Sequence, residues 1–216
     1  MEYFHVSHLD VARACLRAYT ESDVGVRDGW VDAEATVREV ADGLVVVAVR
    51  GTERGEIRDW RADVRFLPAW GALGFGLIHR GAWRCAAKLY PAVDELLQYC
   101  DPYARVVFAG HSLGGMTSLC MGLMHDCVDE VVTFGTPACM RLRGDYPHSV
   151  TRYERLEDPV PRIPSWYRPV GDLQWWSGAE LLSFSAAGAL RPSDALNIAD
   201  HDMRGYVAAL EQSEAA

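Results

Sequence analysis

The sequence predicts an α/β fold: a mostly parallel central sheet, opened by an antiparallel hairpin near the N-terminus, with helices on both faces. Three observations carry this. Short β-branched runs at 44–49, 105–109 and 131–134 lack polar alternation, as strands buried on both faces do. Stretches of helical periodicity separate them, which is the pattern of strand, helix, strand units. One run passes straight into Gly110-His111-Ser112-Leu113-Gly114-Gly115, a serine set between glycines where a strand gives way to a helix.

The chain of 216 residues, half of them hydrophobic, is long enough for one substantial core and short for two domains, so a single domain over 1–216 is expected. A net charge of −9 repels nucleic acid and anionic membrane surfaces, and favours a neutral small-molecule substrate or simply solubility. No stretch approaches a membrane span, and the N-terminus lacks a basic region followed by an apolar core, which points to a cytoplasmic protein. The six cysteines have no metal-ligand spacing and several fall in apolar helical patterns, so buried thiols are expected rather than disulfides. Oligomeric state has no signature in the sequence.

Taken in order, Ser7 and Asp10 resemble a capping box, and Leu9, Ala12, Leu16 and Tyr19 give the apolar face of a helix that ends before Asp23. Val31, Ala33, Ala35 and Val37 alternate with polar residues as a half-exposed strand does, Asp42-Gly43 makes the turn, and 44–49 is its buried partner. Arg50-Gly51-Thr52 follows at the strand end, either as a capped turn or as a group facing the same crevice as Ser112. The segment 53–66 is dense in charge but carries Ile57, Trp60, Val64 and Phe66, and a glycine-rich run follows it. It reads as a short helix over a pocket or as a surface excursion.

A helix is expected over 83–99, with Pro91 as a kink or break. Beyond the serine helix come a buried strand at 131–135 and another at 149–156. The latter delivers Asp158 into a turn stiffened by Pro159, Pro161 and Pro164, where the aspartate is either functional or simply an Asx-turn former. The aromatic stretch 166–176 reads as a hairpin or ordered loop, and 177–199 as short helix and loop. A terminal helix follows with His201 in its first turn and Met203, Tyr206, Val207 and Leu210 on its apolar side.

A serine hydroxyl is a weak nucleophile at neutral pH. It needs a base, usually histidine, and that base needs an orienting carboxylate. The chain offers Ser112, Asp158 and His201 in the order of the α/β hydrolases. His111 directly precedes the serine and is expected to point elsewhere. His79 lies close in the expected layout, and His201 is the better base. The Leu113 N–H and a donor near Thr52 are placed to receive an oxyanion.

These residues resemble the class 3 lipases, through Val49-Arg50-Gly51-Thr52, Asp59-Trp60-Arg61-Ala62-Asp63, His79-Arg80-Gly81-Ala82-Trp83, Gly110-His111-Ser112-Leu113-Gly114-Gly115, Thr133-Phe134-Gly135-Thr136-Pro137, Asp158-Pro159-Val160-Pro161 and His201-Asp202-Met203. The resemblance implies an α/β-hydrolase fold with its nucleophile elbow at Ser112 and a catalytic triad of Ser112, Asp158 and His201. It also implies an oxyanion hole from Thr52 and Leu113, a lid over about 53–70 that bears Ile57, Trp60, Val64 and Phe66, and ester hydrolysis without metal or cofactor.

The departures bear on substrate. Seven charged residues, Arg54, Glu56, Arg58, Asp59, Arg61, Asp63 and Arg65, leave the lid segment only a narrow apolar stripe, which favours soluble or short-chain esters over bulk triglyceride. Two other readings stand beside this one. The first is a phospholipase or cell-envelope esterase that uses the aromatics of 166–176. The second is a binding or scaffold protein on the same fold without activity.

Overall fold

The computed structural model describes residues 6–27, 32–51, 68–70, 74–163, 167–177, 180–184 and 198–215. Thr52 and the lid positions Ile57, Trp60, Val64 and Phe66 lie outside these residues, as does most of 185–199.

Helix α1 (His8–Arg17) starts at Ser7, whose hydroxyl accepts from the Asp10 N–H at 3.2 Å, as the capping pattern predicts. After it come strands β1 (Val24–Arg27), β2 (Asp32–Ala41) and β3 (Leu44–Val49), paired antiparallel in sequence. Strand β1 is an addition to the elements expected from the sequence. Its four residues are too few to show a period, and it exists by pairing with β2. The Asp42-Gly43 turn is as expected, with Gly43 at φ 68°.

From β3 the sheet continues in parallel through β6 (Arg105–His111), β7 (Glu130–Phe134), β9 (Ser149–Arg155) and β10 (Asp172–Ser177). It closes on β11 (Glu180–Phe184), antiparallel to β10, to give the order β1-β2-β3-β6-β7-β9-β10-β11. The aromatic stretch is therefore in part a hairpin arm, but that arm also extends the parallel sheet. The expectation of helix and loop after residue 177 is corrected by β11, a short run whose order comes from its partner rather than from any period of its own. A separate three-stranded sheet of β4 (Pro68–Trp70), β5 (Gly76–His79) and β8 (Met140–Leu142) has no counterpart in the sequence reading.

Two cores lie on opposite faces of the main sheet. Helices α2 (Arg80–Leu97) and α3 (Leu113–Gly122) cover one, against Val47, Val49, Phe108 and Val131. Helix α1 and the terminal α4 (Met203–Glu214) cover the other, against Val46, Ala48, Val107, Val132 and Phe134. Alternate residues of one strand thus feed different cores, which explains the unbroken apolar runs.

Helix α2 begins earlier than expected and runs through Pro91 without a break. Proline strips the bond to the carbonyl four residues back, that of Ala87, and both residues are on the exposed side, where solvent can reach that carbonyl. All six cysteines are free thiols. Cys15, Cys85, Cys120 and Cys139 are buried as expected, Cys100 is half-buried, and Cys127 is exposed at the loop after α3. Among the described residues no helix is long and apolar enough to cross a membrane.

Candidate active site

Strand β6 turns into α3 at Ser112, the one described non-glycine residue with a positive φ (58°, with ψ −124°). The neighbouring glycines are steric requirements. A Cβ on Gly110 would lie 2.3 Å from the carbonyl carbon of Gly114, and one on Gly114 would lie 2.2 Å from the Val49 carbonyl oxygen. Strand and helix approach closer than any side chain allows, and the strained serine is the consequence. The Ser112 N–H donates to the Phe134 carbonyl at 3.0 Å, which ties the turn to the end of β7. Behind Ser112, the Leu113 N–H lies in the first turn of α3, where amides have no partner within the helix and the helix dipole favours negative charge.

Gly135 follows directly, in a left-handed conformation at φ 55°. A Cβ there would lie 2.8 Å from Asp158 Oδ2, 2.9 Å from the Tyr206 hydroxyl and 3.0 Å from His201 Nδ1. The strand end that binds the Ser112 amide is therefore also the floor on which Asp158 and His201 meet. Their contact is a 2.8 Å hydrogen bond between His201 Nδ1 and Asp158 Oδ2, fully out of water on the aspartate side and nearly so on the histidine side.

The second oxygen of Asp158 accepts from the Val160 N–H at 2.9 Å. One oxygen thus builds the Asx turn and the other faces the histidine. The flanking prolines 159 and 161 have no N–H, which leaves Val160 as the donor within that turn. Because Nδ1 of His201 faces a carboxylate, it carries the proton of the neutral ring. Nε2 is then the basic nitrogen, and it has no hydrogen-bond partner among the described residues. Such an imidazole can take a proton from a neighbouring hydroxyl, while the buried carboxylate supports the resulting charge.

His201 sits in a single 3-10 turn (Ile198–His201) ahead of α4, rather than inside that helix, and Asp202 caps α4 by accepting from the Arg204 N–H. Three further residues join the site without having been picked out from the sequence. The Tyr206 hydroxyl donates to Asp158 Oδ2 at 2.7 Å, and burial together with the Asp158 charge pushes its own ionisation well upward, so it stays a donor. Read as part of an apolar helix face, Tyr206 carried one usable signal: a buried tyrosine needs a partner for its hydroxyl.

His111 is held by Tyr19. Its Nδ1 bonds the Tyr19 hydroxyl at 2.6 Å. Its ring nonetheless packs on His201, with centroids 4.5 Å apart and planes tilted by 33°. Tyr19 is the third, brought in from the turn after α1. Gly51 admits this contact, since a Cβ there would lie 2.6 Å from the Tyr19 hydroxyl.

His79 is placed elsewhere. It caps α2, its Nδ1 accepting from the Ala82 N–H at 3.1 Å, and burial lowers its pKa to about 4. Among the described residues no group of three or more histidine, cysteine or acidic side chains is arranged to hold a metal ion.

A chloroplastic phospholipase A1 of Arabidopsis thaliana, PLIP1, is 33% identical over 93 residues, which cover 38% of this chain and 14% of that protein. The chain thus aligns with only a small part of that relative's length. The lipase from Rhizopus microsporus var. chinensis superposes with a TM-score of 0.71 at 19% identity, covering 90% of this chain and 84% of that one. The triacylglyceride lipase of Rhizomucor miehei gives 0.65 at 20% identity, covering 90% and 91%. These likenesses establish the α/β-hydrolase fold. A family model for class 3 lipases matches residues 46–168, more than half of the sequence, and this chain belongs to that family.

Proposed function

We propose that this chain is a serine hydrolase of carboxylic esters working through an acyl-enzyme. The observation that supports it most is the Asp158–His201 pair, out of water and resting on Gly135, the residue next to the carbonyl that binds the Ser112 amide. In this reading Ser112 Oγ attacks the ester carbonyl while His201 Nε2 takes its proton. The tetrahedral oxyanion is received by the Leu113 N–H and, from the resemblance, by Thr52. His201 then gives the proton to the departing alcohol. In the second half it activates a water that releases the acid and restores the serine. Asp158 keeps the imidazole in the tautomer with Nε2 free and supports its positive charge.

For substrate, the charge-rich 53–66 segment favours soluble or short-chain esters. Turnover should be highest on short p-nitrophenyl esters, with no jump when substrate passes its solubility limit. Strong activation on a long-chain emulsion contradicts that preference. A second reading, cleavage of a phospholipid acyl ester, is favoured by the identity to PLIP1. A panel of glycerophospholipids and acylglycerols of matched chain length separates the two.

The Ser112→Ala variant should lose at least about 10³-fold in kcat in all these assays, as removal of the nucleophile does elsewhere. Undiminished turnover sinks the assignment. Covalent labelling by a fluorophosphonate probe, blocked in the same variant, distinguishes an enzyme from an inactive module on this fold.

A further inference from the structure

Arg155, the last residue of β9, touches every piece that carries the acid and the base. Its Nη2 lies 2.9 Å from Asp200 Oδ1, and its Nη1 donates to the Asp200 carbonyl at 3.0 Å. Asp200 immediately precedes His201. The Arg155 carbonyl accepts from the Asp158 N–H at 3.1 Å, and the Arg155 N–H donates to the Tyr206 hydroxyl at 3.3 Å. Room for the guanidinium exists because residue 205 is glycine; a Cβ there would lie 2.4 Å from Nη1. The ion pair is about three-quarters buried, with side-chain exposures of 26% and 23%. A two-point grip by a planar guanidinium also fixes direction, which a lysine cannot do.

We propose that Arg155 is a positioning residue for the reaction read above: it clasps the 198–201 turn to the end of β9, fixing where His201 stands relative to Asp158, and cancels the charge of Asp200 beside the base. This rests on His201 being the base. Breaking a pair this buried lowers stability whatever its role, so a merely structural role predicts a lower melting temperature with kcat and the pH profile unchanged in the folded variant.

Among the described residues, the charged and titratable groups around His201 are Asp158 from the loop after β9, Tyr206 from α4, His111 from β6, and its chain neighbours Asp200 and Asp202. Arg155 comes from β9, whose other face carries Glu154 paired with Arg152. Removing one member of the Arg155–Asp200 pair leaves the other uncompensated, and the sign is calculable. A bare Asp200 favours the imidazolium, so in Arg155→Met the acid limb of kcat/KM moves to higher pH. A bare Arg155 disfavours it, so in Asp200→Asn the limb moves to lower pH. At this exposure the shifts should be a few tenths of a pH unit in low salt, shrinking as salt is added.

The test measures kcat, KM and the pH profile on a short p-nitrophenyl ester for wild type, R155M, R155K, D200N and the R155M/D200N double variant, with thermal melting alongside. The expected result is a roughly tenfold loss of kcat in R155M with KM nearly unchanged, and partial recovery in R155K. The acid limbs of R155M and D200N should move in opposite directions, and that of the double variant should return close to wild type. If R155M does not fold, D200N and R155K still carry the sign and the recovery. Unaltered kcat and pH profiles in a folded R155M, or acid limbs that move the same way, overturn the clasp. A wild-type chain that neither turns over esters nor reacts with a fluorophosphonate overturns the parent reading, and the clasp with it.

Discussion

The nucleophile side of the site and its acid–base side are held by different kinds of force. Ser112 is positioned by backbone: glycines at 110 and 114 let β6, α3 and the end of β3 meet at distances no Cβ tolerates, and its hydroxyl makes no capping bond to α3. Asp158 and His201 are positioned chiefly by side chains reaching across the fold, the Tyr206 hydroxyl and the Arg155 guanidinium, with the Val160 N–H as a local backbone partner of the aspartate. Hard contacts make the first arrangement rigid and intolerant of change. The second is a network in which members can be weakened one at a time, so variants on the two sides should fail differently.

Gly114→Ala is the harshest test of that difference. Its new Cβ would meet the carbonyl of Val49, a group of the central strand β3 that cannot swing aside as a flexible side chain does. We expect a loss of stability of roughly 4 kcal/mol or more, in the range reserved for overpacked or strained sites. Thermal denaturation of the purified variant checks it. A melting temperature equal to wild type means that the elbow is softer than its contacts imply, and the contrast drawn above fails on its first side.

On the other side, Asp158→Asn should leave the fold largely standing and stop the chemistry. An amide cannot support the imidazolium, and its NH2 favours the wrong tautomer of His201. A loss of about 10⁴ in kcat, with the melting temperature displaced by only a few degrees, is the expected pair of readings. Retention of more than a tenth of wild-type turnover removes Asp158 from the proposed mechanism.

The same division explains what could be read from the sequence. Backbone-held features are local, so six consecutive residues around Ser112 announced strand, turn and helix together. The class 3 pattern was legible for the same reason, as a series of short segments in fixed order. Order alone also put forward Asp158 and His201, 43 residues apart, but it could not show what surrounds them. Tyr206 looked like one more apolar contact on α4, and nothing singled out Arg155 within the strand expected over 149–156. The strands β1 and β11 were missed because each is stabilised by a partner strand and is too short to display a period of its own.

His79 provides an intermediate case, a side chain that holds backbone. Neutral in the folded protein with a pKa near 4, it caps α2; in the unfolded chain it titrates at its ordinary 6.5. Its folded value is depressed, so its contribution is complete above pH 6.5. The unfolded state binds more protons below that, and the contribution is lost as pH falls from 6.5 towards 4. The loss is at most about 3 kcal/mol, reduced by any opening of the helix end. His79→Asn, which keeps a capping oxygen but cannot titrate, should flatten stability over that window. An unchanged pH dependence of melting assigns the acid sensitivity to another group, of which buried His125, with its pKa also lowered by burial, is the first to examine.

The gentlest probe is Tyr206→Phe, and it discriminates between two accounts of the network. The Tyr206 hydroxyl and His201 Nδ1 share one oxygen of Asp158, so the tyrosine either competes with the histidine for the carboxylate or fixes the carboxylate in the plane the histidine requires. Competition predicts that removing the hydroxyl strengthens the Asp158–His201 bond and leaves kcat equal or higher. Fixation predicts a fall of about tenfold in kcat, worth about 1.4 kcal/mol, with KM steady, because a partly freed carboxylate samples other rotamers. Fixation is the expected result, since Oδ1 is already tied to Val160 and the second bond removes the last rotation of the group. Phenylalanine keeps the ring packing against Phe134 and His111, so a change in kcat reports the hydroxyl alone. A folded Y206F with wild-type or higher kcat decides for competition.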